Sequence, residues 1–166
     1  MIDFTDKVVA ITGAAGNLGK VTAMAFYDAG ARLAIIDRKR DVLTNVFSDI
    51  APEGDSCYYA AGDLTNQQSV EETVAGIWDF FGRVDVLVNV AGGFTMGPPI
   101  HETPVDTWDF MLNLNARTVF LMSKAVIPHF IEQNYGKIVN IGARAALSGK
   151  ANMAPYIVSK SAVIRL

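Results

Sequence analysis

The chain has 166 residues, 51% hydrophobic and 19% charged, with a net charge of −3. That balance suits one compact domain with a large core, and offers no electrostatic reason to expect nucleic acid or an anionic membrane surface as partner. The lone Cys57 excludes an intrachain disulfide and fits a reducing cytoplasm.

No apolar run approaches the roughly 18 residues a membrane span needs. The acidic start Met1-Ile2-Asp3-Phe4-Thr5-Asp6 does not read as a signal peptide. Lys7 to Ile11 then forms a run apolar almost throughout, the pattern of a strand buried on both faces. A glycine-rich turn, Thr12-Gly13-Ala14-Ala15-Gly16-Asn17-Leu18-Gly19, follows it and opens a helix with Leu18, Thr22, Ala25 and Ala29 on one face. Leu33 to Ile36 is the second buried strand and ends at Asp37. Ser56 to Ala60 is a weaker third strand, followed by Asp63-Leu64-Thr65.

Thr65-Asn66-Gln67-Gln68 reads as a capping box before a helix whose Val70, Val74, Ile77 and Phe81 share a face. Val84 to Val90 is the fourth strand and runs into Asn89-Val90-Ala91-Gly92. Thr103 followed by Pro104 places proline in a first helical turn. A third stripe passes through Val119, Met122, Val126 and Phe130. Lys137 to Ile141 is the last strand, and the helix after it carries Tyr156 and Lys160. This alternation predicts an α/β, doubly wound parallel sheet of order 3-2-1-4-5. Leu166 falls about three turns into a helix with no cap, and the last strand would be an uncovered apolar edge. Residues 1–166 are therefore expected to be the dinucleotide-binding domain of a longer protein; a short homologue covering that edge by oligomerising is the alternative.

The turn from Thr12 to Gly19 has a strand before it and a helix after it, as a dinucleotide-binding turn requires. Glycine lets a pyrophosphate approach the backbone, and the helix N-terminus supplies amide donors. Asp37 stands where a carboxylate accepts from the adenosine ribose hydroxyls and repels a 2′-phosphate, favouring NAD. Arg38, at the head of Arg38-Lys39-Arg40, argues for NADP, since a guanidinium can hold that phosphate. Asp63 either serves the adenine or forms a turn. The small residues Asn89, Ala91 and Gly92 either let a cofactor lie on the backbone or form an ordinary turn. Tyr156 and Lys160, four apart, share one helix face. An ammonium beside a phenol favours the phenolate, which makes an acid/base for a carbonyl or alcohol oxygen. His101 and His129 lack partners at metal-ligand spacing, so no metal site is expected. His129 is expected to cap a helix C-terminus, and Phe94, Met96, Trp108 and Phe110 to be core or pocket wall.

These landmarks resemble the short-chain dehydrogenase/reductase family over the whole chain: the glycine turn, Asp37, Asp63, Asn89-Val90-Ala91-Gly92, Asn115, and Tyr156 with Lys160. The resemblance implies a Rossmann fold of three α/β/α layers, a nicotinamide cofactor and redox chemistry on a small alcohol or carbonyl. It gives Gly13, Gly16, Asn17, Leu18 and Gly19 to the pyrophosphate, and Asp37, Arg38, Asp63 and Leu64 to the adenosine end. Asn89, Ala91 and Gly92 are implied as cofactor-binding, with the cofactor lying against their backbone. Tyr156 is implied as acid/base, Lys160 as its partner and a ribose ligand, and Asn115 as holder of a relay water. It also implies a C-terminal part bearing further strands and a substrate loop, and a homo-oligomer, dimer or tetramer.

Two departures stand out. Gly16 replaces another residue of the common turn, and Asn17 replaces a glycine or alanine, with asparagine expected to tolerate a left-handed backbone there. The family's catalytic serine corresponds to Ala143, thirteen residues before Tyr156. Losing one such donor costs on the order of 10²–10³ in rate, which raises a rival reading as a cofactor-binding protein without useful turnover. Ser148 is the nearest hydroxyl, at the wrong spacing.

Overall fold

A computed structural model describes residues 3–166; Met1 and Ile2, at the acidic start, lie outside them. Five parallel strands, β1 (Val8–Thr12), β2 (Arg32–Asp37), β3 (Cys57–Ala61), β4 (Val86–Asn89) and β5 (Lys137–Asn140), form one sheet in the order β3-β2-β1-β4-β5. The register aligns Thr12 with Ile36 and Asn89, Asp37 with Ala61, and Asn89 with Asn140. The motifs that end the strands thus gather along one carboxyl edge, where ligands of open α/β sheets bind.

The helices are α1 (Asn17–Asp28), α2 (Arg40–Phe47), α3 (Gln67–Phe81), α4 (Val105–Leu112), α5 (Thr118–Glu132) and α6 (Ala154–Arg165). Alternation along the strands sorts side chains to two faces. Val8, Ala10, Ala34 and Ile36 pack with Val74, Ile77, Met122 and Val126 of α3 and α5. Val9, Ile11, Leu33 and Ile35 pack with Ala23, Leu43 and Phe47 of α1 and α2. Each fully buried Val, Leu, Ile, Met or Phe among them contributes about 1.5–3 kcal/mol, and together they hold the carboxyl edge as a rigid frame. No helix among the described residues is long and apolar enough to cross a membrane.

Several local expectations are corrected. The buried face of α1 is Gly19 and Ala23, with Leu18 exposed. A Cβ on Gly19 would strike the Gly13 carbonyl oxygen, so this residue, one later than predicted, is the one pressed against the turn. The cap of α3 is Asn66, not Thr65: its side chain accepts from Ser69 N–H at 3.0 Å. Pro104 is itself the N-cap of α4 rather than its first helical residue. The strand β5 is only half buried, with Lys137 and Val139 exposed, because it is a sheet edge with one neighbour. Phe94 and Met96 are exposed rather than core, whereas Phe110, though exposed, lines the groove at the carboxyl edge as a wall residue. His129 lies in the last turn of α5, where its ring stacks on Trp78 at 4.0 Å.

Candidate active site

A groove of about 750 Å³ runs along the carboxyl edge of the sheet. Its floor at one end is the turn after β1. Gly13 has a φ of +62°, a left-handed conformation that glycine adopts freely. A Cβ there would lie 2.8 Å from Ala91 Cα, so Gly13 also lets the turn touch the end of β4. Asn17 opens α1 as an ordinary helical residue. The left-handed backbone expected at Asn17 belongs to Gly13, where the chain reverses from strand to helix. Gly16, Asn17, Leu18 and Gly19 line the groove where α1 begins, with its amides and positive dipole end.

Asp37 closes β2 and holds this turn. Its Oδ2 accepts from Ala15 N–H at 3.0 Å and its Oδ1 from Arg38 N–H at 2.8 Å. Arg38, Asp63 and Leu64 line the same end. Asp63 Oδ1 accepts from Thr65 N–H at 2.9 Å and from its hydroxyl at 2.7 Å, the geometry of a turn-forming aspartate. The Thr65 hydroxyl and amide, with the nearby Arg38 charge, lower its carboxyl pKa.

The other end lies where β4 leaves the sheet. Thr12, buried at the end of β1, accepts at its hydroxyl from the N–H groups of Val90 and Ala91 at 3.1 and 3.0 Å. Asn89 lies out of the groove wall: its Nδ2 donates to Asn140 Oδ1 across β4 and β5 at 2.9 Å. Ala91 and Gly92 line the groove. A Cβ on Gly92 would sit 2.7 Å from Asn115 Oδ1 and 3.2 Å from Lys160 Nζ, so three predicted residues meet at one point.

Asn115 belongs to a π-helical turn, Asn113–Arg117, that joins α4 to α5. Such turns arise often at functional sites, where one extra residue re-aims a side chain. Both amide hydrogens of Asn115 are taken, by Gly93 O at 3.1 Å and Ser159 Oγ at 3.0 Å. With both amide hydrogens spent, its remaining capacity toward a water is as an acceptor, at the side-chain and main-chain oxygens.

Tyr156 and Lys160 lie one turn apart in α6. Lys160 is 6% exposed and donates from Nζ to the Ile141 carbonyl at 2.8 Å. Burial alone lowers its ammonium pKa. Tyr156 is half-buried, with the Phe94 ring edge-on at 4.9 Å.

A glycine turn, an acidic β2 end and a buried lysine one turn after a tyrosine, all on one sheet edge, set the context for comparison. Residues 7–166 match the family described as short chain dehydrogenase. The chain belongs to that family. It is 35% identical, over 96% of its length, to the hydroxy(phenyl)methyl-succinyl-CoA dehydrogenase subunit BbsD of Thauera aromatica. It is 33% identical, over 99% of its length, to the CLA biosynthesis dehydrogenase/reductase of Lactiplantibacillus plantarum. The crystal structure of an NAD+-bound xylitol dehydrogenase superimposes with a TM-score of 0.92 at 34% identity, covering 98% of this chain and 62% of that one. The chain spans 63% and 57% of the length of the two relatives.

In this family member Ala143 stands at the start of a one-turn 3-10 helix, Arg144–Leu147. That turn is fastened to α6 by Ser161, whose hydroxyl donates to the Ala146 carbonyl at 3.1 Å. Ser148 is exposed just beyond it. Sequence reading passed over three residues with a part in the geometry: the Thr12 hydroxyl, Gly93 and Ser159. None has a spacing signal, since their partners come from strands and helices distant in sequence.

Proposed function

We propose that the protein transfers hydride between NAD(H) and a small alcohol or carbonyl. The observation that carries this reading is the meeting of Gly92, Asn115 and buried Lys160 at one end of the groove, one helical turn from Tyr156. The residues fit a dinucleotide. Gly13 and Gly19 leave no room for a Cβ, so the turn presents bare backbone. When bound, the nicotinamide supplies the hydride chemistry.

Gly13, Gly16, Asn17, Leu18 and Gly19 bind the pyrophosphate through main-chain amides at the start of α1. Asp37, already oriented by Ala15 and Arg38, receives the adenosine ribose hydroxyls and disfavours a 2′-phosphate, so NAD is preferred over NADP. Arg38, Asp63 and Leu64 flank the adenine side. Ala91 and Gly92 carry the nicotinamide side, and Asn89 steadies the end of β4 from beneath. Tyr156 gives its phenolic proton to the substrate oxygen during reduction and takes it back during oxidation. Lys160 holds the nicotinamide ribose and places positive charge beside the phenol. Asn115 holds the loop at Gly93 through its amide, and its oxygens accept from the water that relays the proton.

Turnover of NAD(H) with a panel of simple alcohols and ketones tests the reading. Activity that vanishes in Tyr156→Phe is expected; NADH binding without turnover on any substrate refutes it. Ala143 favours a second reading, a cofactor-binding protein without useful turnover, because alanine offers no donor to the substrate oxygen.

The proposal extends to assembly and place. Phe120, Ile127 and Ile131 form an exposed apolar stripe on α5, and Val158 and Ile164 are exposed on α6. These faces suit a dimer or tetramer, which light scattering at micromolar concentration would detect. The buried Cys57 thiol suits the reducing cytoplasm.

A further inference from the structure

Ser159 stands between Tyr156 and Lys160 in sequence, and its hydroxyl is fully committed in space. It donates to the Tyr156 carbonyl at 2.8 Å and accepts from Asn115 Nδ2 at 3.0 Å. Asn115 gives its other amide hydrogen to Gly93 O and accepts from Gly93 N–H at 2.9 Å. Both Ser159 and Asn115 are completely buried. The result is a dry chain of hydrogen bonds from the loop after β4 to the main chain of Tyr156. Alongside it, Gly92 lies against Asn115 and Lys160 with no room for a side chain.

We propose that Ser159 is a positioning residue, which sets the distance and angle between α6 and the 91–93 loop. The inference rests on reading this end of the groove as the hydride-transfer site. A hydroxyl is the smallest group that can both accept from the Asn115 amide and donate to the Tyr156 carbonyl. Without it, a buried N–H loses its acceptor, the amide turns to find another, and its hold on Gly93 loosens. Tyr156 and Lys160 stay on their helix, but no longer in register with a ligand lying over Gly92. Misplacement of about 1 Å at such a site costs up to 10²-fold in rate.

The test compares Ser159→Ala, Asn115→Ala and the double variant, with Ser159→Cys as a near-isosteric control. In the protein without cofactor, amide hydrogen exchange at Gly93 should speed up about tenfold or more in Ser159→Ala, while β1 amides keep their wild-type rates. With NAD(H) saturating, kcat should fall about tenfold while NAD(H) affinity stays within about twofold. The double variant should lose no more than the worse single, because the two residues act as one unit. Ser159→Cys should be intermediate in both readouts. A lowered melting temperature with unchanged Gly93 exchange and kcat marks a purely structural role and overturns the proposal. Multiplying losses in the double variant overturn it as well. If the wild type binds NADH but turns over nothing, the hydride-transfer reading fails by itself. Gly93 exchange in Ser159→Ala then still decides whether the clamp exists.

Discussion

The Asp37 carboxylate and the Ala15 amide, twenty-two residues apart, are joined by a 3.0 Å hydrogen bond. One side chain thus closes the glycine turn and lines the groove in which the proposed cofactor would lie. Pre-orientation of this kind lowers the cost of ordering a loop when ligand binds.

Asp37→Ala removes that bond and the charge together. A hydrogen bond to a charged group is worth about 1.5–3 kcal/mol, so NADH affinity should fall about tenfold or more. The preference over NADPH should narrow as well, because Arg38 remains beside the groove. Fluorescence titration with both reduced cofactors measures this. A variant that still prefers NADH by the wild-type margin would mean the carboxylate does not set selectivity.

Gly92→Ala forces a methyl to 2.7 Å from Asn115 Oδ1 and 3.2 Å from Lys160 Nζ. Overpacking of this kind costs about 1–3 kcal/mol. The variant should melt lower and lose turnover by displacing both side chains, whereas adenosine-end contacts persist. Wild-type kcat in a folded Gly92→Ala protein would refute the packing of these three residues.

Ala143→Ser restores a hydroxyl at the family's donor position. Charge develops on the substrate oxygen only in the transition state, so the gain should appear in kcat, by roughly tenfold or more, with cofactor binding unchanged. Tyr156→Phe in the same background should abolish it. Baseline turnover on every substrate would favour the non-catalytic reading. An alanine protein that is already fast would point to Ser148 or an ordered water as donor.

Cys57 is completely buried in β3, and desolvation with the Glu53 charge pushes its thiol pKa up to about 12. The thiolate is the reactive form. Native protein at pH 8 should therefore resist a thiol-modifying disulfide reagent over hours, and react promptly once unfolded in denaturant. Rapid stoichiometric labelling of the native protein would contradict that burial.

Lys160 gives a pH test with a definite sign. Burial holds its ammonium below the ordinary 10.5, so over the interval between the native pKa and 10.5 the unfolded chain binds more protons than the native one. Stability should rise as pH climbs through that interval, and this component of the rise should be missing in Lys160→Met. Denaturant unfolding across alkaline pH reads the difference. Parallel curves for the two proteins would remove the case for a desolvated lysine.

The sheet was legible because its signals are local. Ile11, Ile35 and Val88 sit in short runs apolar almost throughout, the composition of a strand covered on both faces. The glycine turn and Asp37 were readable for a similar reason: backbone approach requires glycine, and a strand end fixes where a carboxylate points. What the sequence could not reveal depends on atoms distant along the chain. The buried face of α1 is decided by Gly19 meeting Gly13, so it fell one residue from the periodic reading. The π-helical turn at Asn113–Arg117 carries no composition of its own, and the partners of the Asn115 amide, Gly93 and Ser159, come from a loop and a helix distant in sequence. Composition and spacing determined the parallel sheet and the residue types along its edge, because burial and backbone geometry restrict those choices locally. Which side chains have hydrogen bonds left for a ligand was decided only in the folded chain, since each partner is supplied by another element.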